Sequence, residues 1–236
     1  MKTLSGTFQV NDFQSVKTAL TRPSYKLLLL LVLLSCYSFS FSPENMFSET
    51  FFSKISNKYG EDKTHVFHEW QKLIINNTQR DAYEQLNRVN QFTNRNIQFK
   101  TDIEHWGKDD YWATPIESLG TGYGDCEDYA IFKYVSLIAS GIEESKLRLM
   151  YVRALTIDEP HMVLIYSEEP NSIPLVLDNL KSRIFPANKR ADLKPIYSFN
   201  GQGLWLSKAQ GLGNKVKSGS GSKDWTQLME RIEQGQ

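Results

Sequence analysis

The chain predicts an α+β fold, with helices leading and an antiparallel sheet following. Apolar residues recur at helical spacing as far as Ile138. Beyond Leu147, branched and aromatic residues gather instead into short runs bounded by turn formers. Helices first and strands after them are the pattern of an α+β fold.

The elements follow in order. After a polar linker from Ser42 to Thr50, the stretch Lys63 to Asn76 carries Val66, Phe67, Trp70, Leu73 and Ile74 on one helical stripe. A second helix begins at Asp81, whose charge suits a first turn. It continues through Tyr83, Leu86, Val89 and Phe92 until Asn94-Arg95-Asn96 breaks the period. Asp102 to Thr121 reads as an aromatic-rich irregular stretch able to line a cleft, ending in Gly120, Gly122 and Gly124. A helix then runs from Cys126 to Ser140, where Gly141 is a natural stop. Leu147 to Ala154, His161 to Tyr166 and Leu175 to Asp178 read as strands. The last two form an antiparallel hairpin around residues 167–172. Short strands near Pro195 to Asn200 and Leu204 to Leu206 complete the sheet. Ser218 to Ser222 then forms a flexible linker to a terminal helix docked by Trp225.

Composition bounds the function. The 236 residues are 40% hydrophobic and 12% aromatic, enough for a folded core. The formal net charge of zero, with Lys and Arg scattered, offers no electrostatic footprint for nucleic acid. Residues 1–42 read as a leader: Lys2, Lys17, Arg22 and Lys26 precede the apolar run Leu27 to Leu34, too short to span a bilayer. Export to the periplasm is therefore expected. Cleavage near Ser38-Phe39-Ser40, lipid attachment at Cys36, and retention as a signal anchor are the competing outcomes. The folded domain is placed at residues 50–217, with linker and terminal helix over 218–236. Whichever route holds, Cys126 is the lone thiol of that domain, and no internal disulfide can form.

Cys126 opens a helix, where free N–H groups and the macrodipole favour a thiolate. Thiol chemistry needs a base and a group that orients the base. A hairpin symmetric about Glu169 and Pro170 sets His161 directly opposite Asp178, and a one-residue slip would send Asp178 to the other face. The bland readings are an inert buried cysteine, a strand-end histidine bonded to a carbonyl, and an aspartate capping a strand. His105 is a rival base. His65 and His68, at i and i+3, form a weak metal pair or a solvated helix edge. No zinc motif is present.

Asp125, Glu127 and Asp128 crowd the sulfur, and like charges oppose a thiolate. Either they satisfy first-turn N–H groups, with Asp125 as N-cap, or they hold a structural Ca2+ through hard oxygen ligands.

Asp110-Tyr111-Trp112-Ala113-Thr114-Pro115, Gly122-Tyr123-Gly124-Asp125-Cys126-Glu127-Asp128-Tyr129-Ala130, His161-Met162-Val163-Leu164 and Val176-Leu177-Asp178-Asn179 together resemble the bacterial transglutaminase-like cysteine proteinases. The resemblance spans roughly Lys54 to Arg231. It implies a papain/transglutaminase-like fold and a periplasmic endopeptidase with Cys126 as nucleophile, His161 as base and Asp178 as orienter. It further implies a Ca2+ held by Asp125, Glu127 and Asp128. The implied substrate is a large repeat-containing adhesin, cut near its N-terminus at an Ala-Ala-type site to release cells from biofilm. The implied inhibitor is the periplasmic domain of an inner-membrane cyclic di-GMP receptor. Trp112, expected at the surface, is with Tyr123 and Gly124 a candidate contact for substrate or regulator. A transglutaminase-type acyltransferase and a noncatalytic binding module on the same fold are the alternatives.

Overall fold

A computed structural model describes residues 46–206 and 213–236. The leader, Cys36 and the Ser38-Phe39-Ser40 site lie outside the described residues. Among the described residues three helices come first: α1 (Glu49–Tyr59), α2 (Glu61–Asn77) and α3 (Ala82–Asn96). The first replaces the end of the expected linker. Ser48 accepts a hydrogen bond from the Phe51 N–H as N-cap, and Ile55 is buried, which together start and anchor α1. The α2 stripe points inward as expected, with Trp70 fully buried and its indole N–H donating to Ser136 Oγ at 2.9 Å. Asp81 caps α3 through the Glu84 N–H.

The stretch expected to be irregular contains two short helices, α4 (Asp102–Trp106) and α5 (Pro115–Thr121). Thr114 and Glu117 form a capping box around Pro115 at the first helical position, so local polar pairing starts α5 without a long apolar stripe. A two-residue parallel pair, β1 (Gln98–Phe99) with β2 (Tyr123–Gly124), then ties the end of α3 to the glycine turn. From that turn runs α6 (Cys126–Ala139), buried on nearly every side between α2 and α3 and the sheet. Its Phe132 stacks on Phe92 and packs against Trp70. Truncating such a fully enclosed side chain costs about 3–5 kcal/mol.

Among the described residues the sheet has seven strands: β3 (Leu147–Ala154), β4 (Glu159–Tyr166), β5 (Leu175–Leu177), β6 (Phe185–Pro186), β7 (Leu193–Asn200), β8 (Gly203–Leu206) and β9 (Asn214–Ser218). Their order is β6-β5-β4-β3-β7-β8-β9, every pairing antiparallel. The hairpin of β4 and β5 pairs Tyr166 with Leu175 and Leu164 with Leu177, so its centre lies between Pro170 and Asn171. That is one position beyond the expected centre. The segment expected as a free linker ends β9 at Ser218, and Ser220 is buried. The terminal helix α7 (Lys223–Glu233) docks as expected, with Trp225 edge-on to Tyr134 and Phe199. Among the described residues no helix is long and apolar enough to cross a membrane.

Candidate active site

The turn before Cys126 is held from three sides. Gln98 N–H donates to the Gly122 carbonyl at 2.9 Å, and Lys100 N–H to the Gly124 carbonyl at 3.0 Å. Tyr129 OH donates to the Ile97 carbonyl. Gly122 has a φ of 78°, a left-handed conformation that suits glycine. At Gly124 a Cβ would lie 2.8 Å from the Asp128 Cβ, so only glycine lets the turn close onto the helix start.

Cys126 is half-buried, and its thiol donates to Glu127 Oε2 at 2.9 Å. The backbone of Met162, next after His161 on β4, hydrogen-bonds the sulfur and favours its ionised form. Burial, followed by the Glu127 and Asp125 carboxylates, outweighs that contact and pushes the thiol well above its ordinary value. The helix N-terminus alone does not win here. Its half-charge is opposed by burial and by the Glu127 carboxylate one residue away.

On β4, His161 Nε2 lies 2.8 Å from Asp178 Oδ1, and both residues are buried. Asp178 is not directly opposite His161, where a hairpin centred on Glu169 and Pro170 would put it. The ladder places it across from Val163, two positions along, and beyond the last paired residue of β5. A two-residue shift conserves the face, so the diagonal pair still meets. Asp178 is otherwise fully engaged. Its Oδ1 also accepts from the Leu180 N–H at 3.1 Å, its Oδ2 from Arg190 Nη2 at 2.5 Å, and its carbonyl from Asn94 Nδ2 at 2.9 Å. Burial resists its ionisation, but His161 and Arg190 prevail and hold the carboxyl at about 2.

Below the cysteine lies an acidic cluster. Carboxylate oxygens of Asp102, Asp110 and Glu127 fall within 4.8 Å of one another, as do those of Asp102, Asp125 and Asp128. Asp125 Oδ1 is buried with no hydrogen-bond partner. Asp128 is engaged within the protein, accepting from the Ala113 N–H at 2.7 Å and the Asp125 N–H at 3.3 Å. Burial and mutual repulsion lift Asp125 to about 10 and Asp102 to about 6. Burial and Glu127 raise Asp110 as well. Orphaned and crowded oxygens on an irregular loop fit the donor set of Ca2+, which takes carboxylates in flexible geometry.

The remaining sequence candidates separate clearly. Trp112, expected at the surface, is 5% exposed and stacked on Phe199. It borders a cavity of about 280 Å3 shared with Tyr151, Tyr197 and Phe199. Tyr123 is exposed and Gly124 buried. His105 contacts Thr121 Oγ1 at 3.2 Å and packs against Trp106. His65 bonds the Asp62 carbonyl, and His68 stacks on Phe52. Sequence patterns single out neither Asp102 and Arg190 nor Lys133, and Asp110 enters only as the head of the Asp110–Pro115 motif, with no metal role attached. The Lys133 Nζ, two helical turns after Cys126, is buried without a hydrogen bond and lies 5.7 Å from the Tyr129 ring centroid.

A cysteine at a helix start, beside a buried histidine–aspartate pair on an antiparallel sheet, places the chain among cysteine enzymes of the transglutaminase-like fold. Residues 59–197 match the family model described as bacterial transglutaminase-like cysteine proteinase BTLCP. The chain belongs to that family and is a cysteine protease. It is similar to calcium-bound LapG of Legionella pneumophila, with 39% identity over 79% of this chain and 99% of LapG, at a TM-score of 0.68. The EGTA-treated form of that LapG gives 39% identity over 79% and 98%, at a TM-score of 0.69. No curated protein sequence matches the chain.

Proposed function

We propose that this protein is a calcium-dependent periplasmic endopeptidase that clips the N-terminal region of a large repeat-containing surface adhesin and so releases cells from biofilm. One observation carries the reading. His161 is hydrogen-bonded to Asp178, while the next residue on the same strand, Met162, touches the Cys126 sulfur.

Asp178 engages Nε2 of His161, which leaves Nδ1 as the nitrogen able to take the thiol proton. The Cys126 thiolate attacks the peptide carbonyl carbon, a C–S bond forms, and the displaced electron pair moves to oxygen. The backbone N–H of Cys126 at the start of α6 donates to that oxyanion. Collapse breaks the C–N bond, and the leaving amine takes its proton from His161. Water, deprotonated by His161, then hydrolyses the thioester and restores the thiol. Asp102, Asp110, Asp125 and Glu127, with Asp128 behind them, would hold Ca2+, whose charge offsets the repulsion that disfavours the thiolate. The similarity to a calcium-bound LapG supports this assignment.

Export through the leader brings the enzyme to its substrate, and Cys36 would anchor it if lipidated. Inhibition by the periplasmic domain of an inner-membrane cyclic di-GMP receptor follows from the resemblance. Exposed Tyr123 and the cavity beside Trp112 are the surfaces offered to substrate or regulator, and Gly124, being buried, shapes the turn behind them. The test incubates purified protein with N-terminal adhesin fragments, with and without EGTA. Cleavage at an Ala-Ala bond, lost in Cys126→Ala and with EGTA, is the expected result. Isopeptide crosslinks would make the protein an acyltransferase. Binding without either product would make it a noncatalytic module.

A further inference from the structure

The group that completes the His161–Asp178 pair comes from a loop that no motif marks. Arg190 follows the short 3-10 turn Ala187–Lys189 and is 3% exposed. Its Nη2 donates to Asp178 Oδ2 at 2.5 Å and to Asp192 Oδ2 at 2.9 Å, while Nε donates to Asp192 Oδ1 at 3.0 Å. Lys181 Nζ closes the outer end, 3.0 Å from Asp192 Oδ1. A chain of charged contacts therefore runs inward from partly exposed Lys181 through Asp192 to buried Arg190, Asp178 and His161.

Two physical consequences follow. With Oδ1 taken by His161 and the Leu180 N–H, Oδ2 would be a buried charged oxygen without a donor if Arg190 were absent, and leaving it unpaired is costly. Arg190 also fixes the carboxylate plane, because a guanidinium held by Asp192 has a single direction in which to present Nη2. Asp192 shares the positive charge. With Asp192 balancing Arg190, Asp178 still presents its own negative charge to His161.

We infer that Arg190 is a positioning residue of the catalytic site, holding the Asp178 side chain aimed at His161. The inference rests on the reading that His161 and Asp178 serve Cys126. The alternative is an ion pair that only stabilises the fold.

The test uses full-chain protein labelled with 15N-histidine, which has four histidines; His161 is assigned by its missing signal in His161→Ala. The wild type should show a slowly exchanging His161 Nε2–H resonance. Arg190→Gln should broaden it or abolish it, and Arg190→Lys, which keeps charge without the fork, should recover it in part. Turnover of a quenched-fluorescence peptide spanning an Ala-Ala junction should fall about tenfold in kcat with KM unchanged. Adding Arg190→Gln to Asp178→Ala should cause no further loss, since the effect passes through Asp178. An unchanged His161 resonance in Arg190→Gln, or losses that multiply in the double variant, overturns the inference. Should Arg190→Gln fail to fold, Asp192→Asn carries the same comparison and should weaken the same resonance. Wild-type turnover in both His161→Ala and Asp178→Ala would instead remove the catalytic reading, with the resonance still reporting on Arg190.

Discussion

Asp178 meets His161 diagonally across the sheet, with Oδ1 2.8 Å from Nε2, and not from the position directly opposite. The carboxylate sits one residue beyond the end of β5, where the chain is free of the ladder and can turn its side chain toward the histidine. Strand parity puts both on one face, and the loop decides the reach.

Replacing that carboxylate should separate catalysis from stability. Asp178→Asn keeps the shape but loses the charge that orients the imidazole, and kcat should fall by about 10^4, as in other triads. It also removes one of the two carboxylates that Arg190 engages, leaving Asp192 as its partner, a change worth about 1–3 kcal/mol in unfolding free energy. Parallel turnover and urea titrations read the two effects. Full activity in Asp178→Asn would remove the residue from the mechanism.

Acid should expose the same group. The folded carboxyl titrates at about 2, below its unfolded value near 3.9, so its stabilisation is present above pH 4 and is lost as pH falls toward 2. Circular dichroism between pH 5 and 2 should show a steeper loss for the wild type than for Asp178→Asn. Equal slopes would contradict the depressed value.

Calcium should bind the acidic cluster and raise the melting temperature, by about 2.7 kcal/mol of stability at a hundredfold excess over Kd. Asp102→Asn and Asp110→Asn, chosen because their oxygens meet Glu127, should each weaken calorimetric Ca2+ binding by at least about tenfold. Unaltered affinity in both would move the site elsewhere.

Lys133 predicts a stabilising substitution. Burial lowers its amine to about 7, against the opposing pull of Asp178. A protonated amine is therefore penalised in the folded state. That penalty is full below pH 7 and fades as pH rises toward the unfolded value near 10.5. Lys133→Met should gain on the order of a few kcal/mol at pH 6, with the gain shrinking by pH 10. Denaturant midpoints at the two pH values check it, and a destabilised variant would point to an unrecognised role for the amine.

The terminal helix should matter to the site. Arg231 donates to Tyr111 OH at 2.7 Å, to Glu117 Oε2 at 3.0 Å and to the Trp112 carbonyl. It thereby clamps the loop that follows Asp110. Arg231→Ala should cost about 1–3 kcal/mol and weaken Ca2+ binding, measured by thermal melts with and without the ion. A loss of stability that leaves Ca2+ affinity untouched would confine α7 to core packing.

Much of the fold is legible in the chain. Helical periodicity marks α2, α3 and α6, while alternating and branched runs mark β3, β4 and β5 nearly to the residue. These patterns are visible because each is a local repeat of burial against one face. The short helices α4 and α5 escape such a reading, because capping by Thr114 and Glu117, with no apolar stripe, starts α5 and α4 is a single turn. Helix α1 does leave a signal, in Ser48 and the spacing of Phe51 and Ile55, which a polar-linker reading passes over.

Cys126, His161 and Asp178 can be named from the residues because a helix start and a hairpin each restrict where a side chain can point. Face parity follows from a period of two, and it survives a one-position displacement of the hairpin centre. The partners Arg190, Asp102 and Lys133 belong to no local pattern, and the motif that begins at Asp110 does not reveal what its carboxylate meets. They are brought in by loop closure and by the packing of α6 on the sheet. Such long-range charge contacts depend on distances across the fold, which no spacing along the chain encodes.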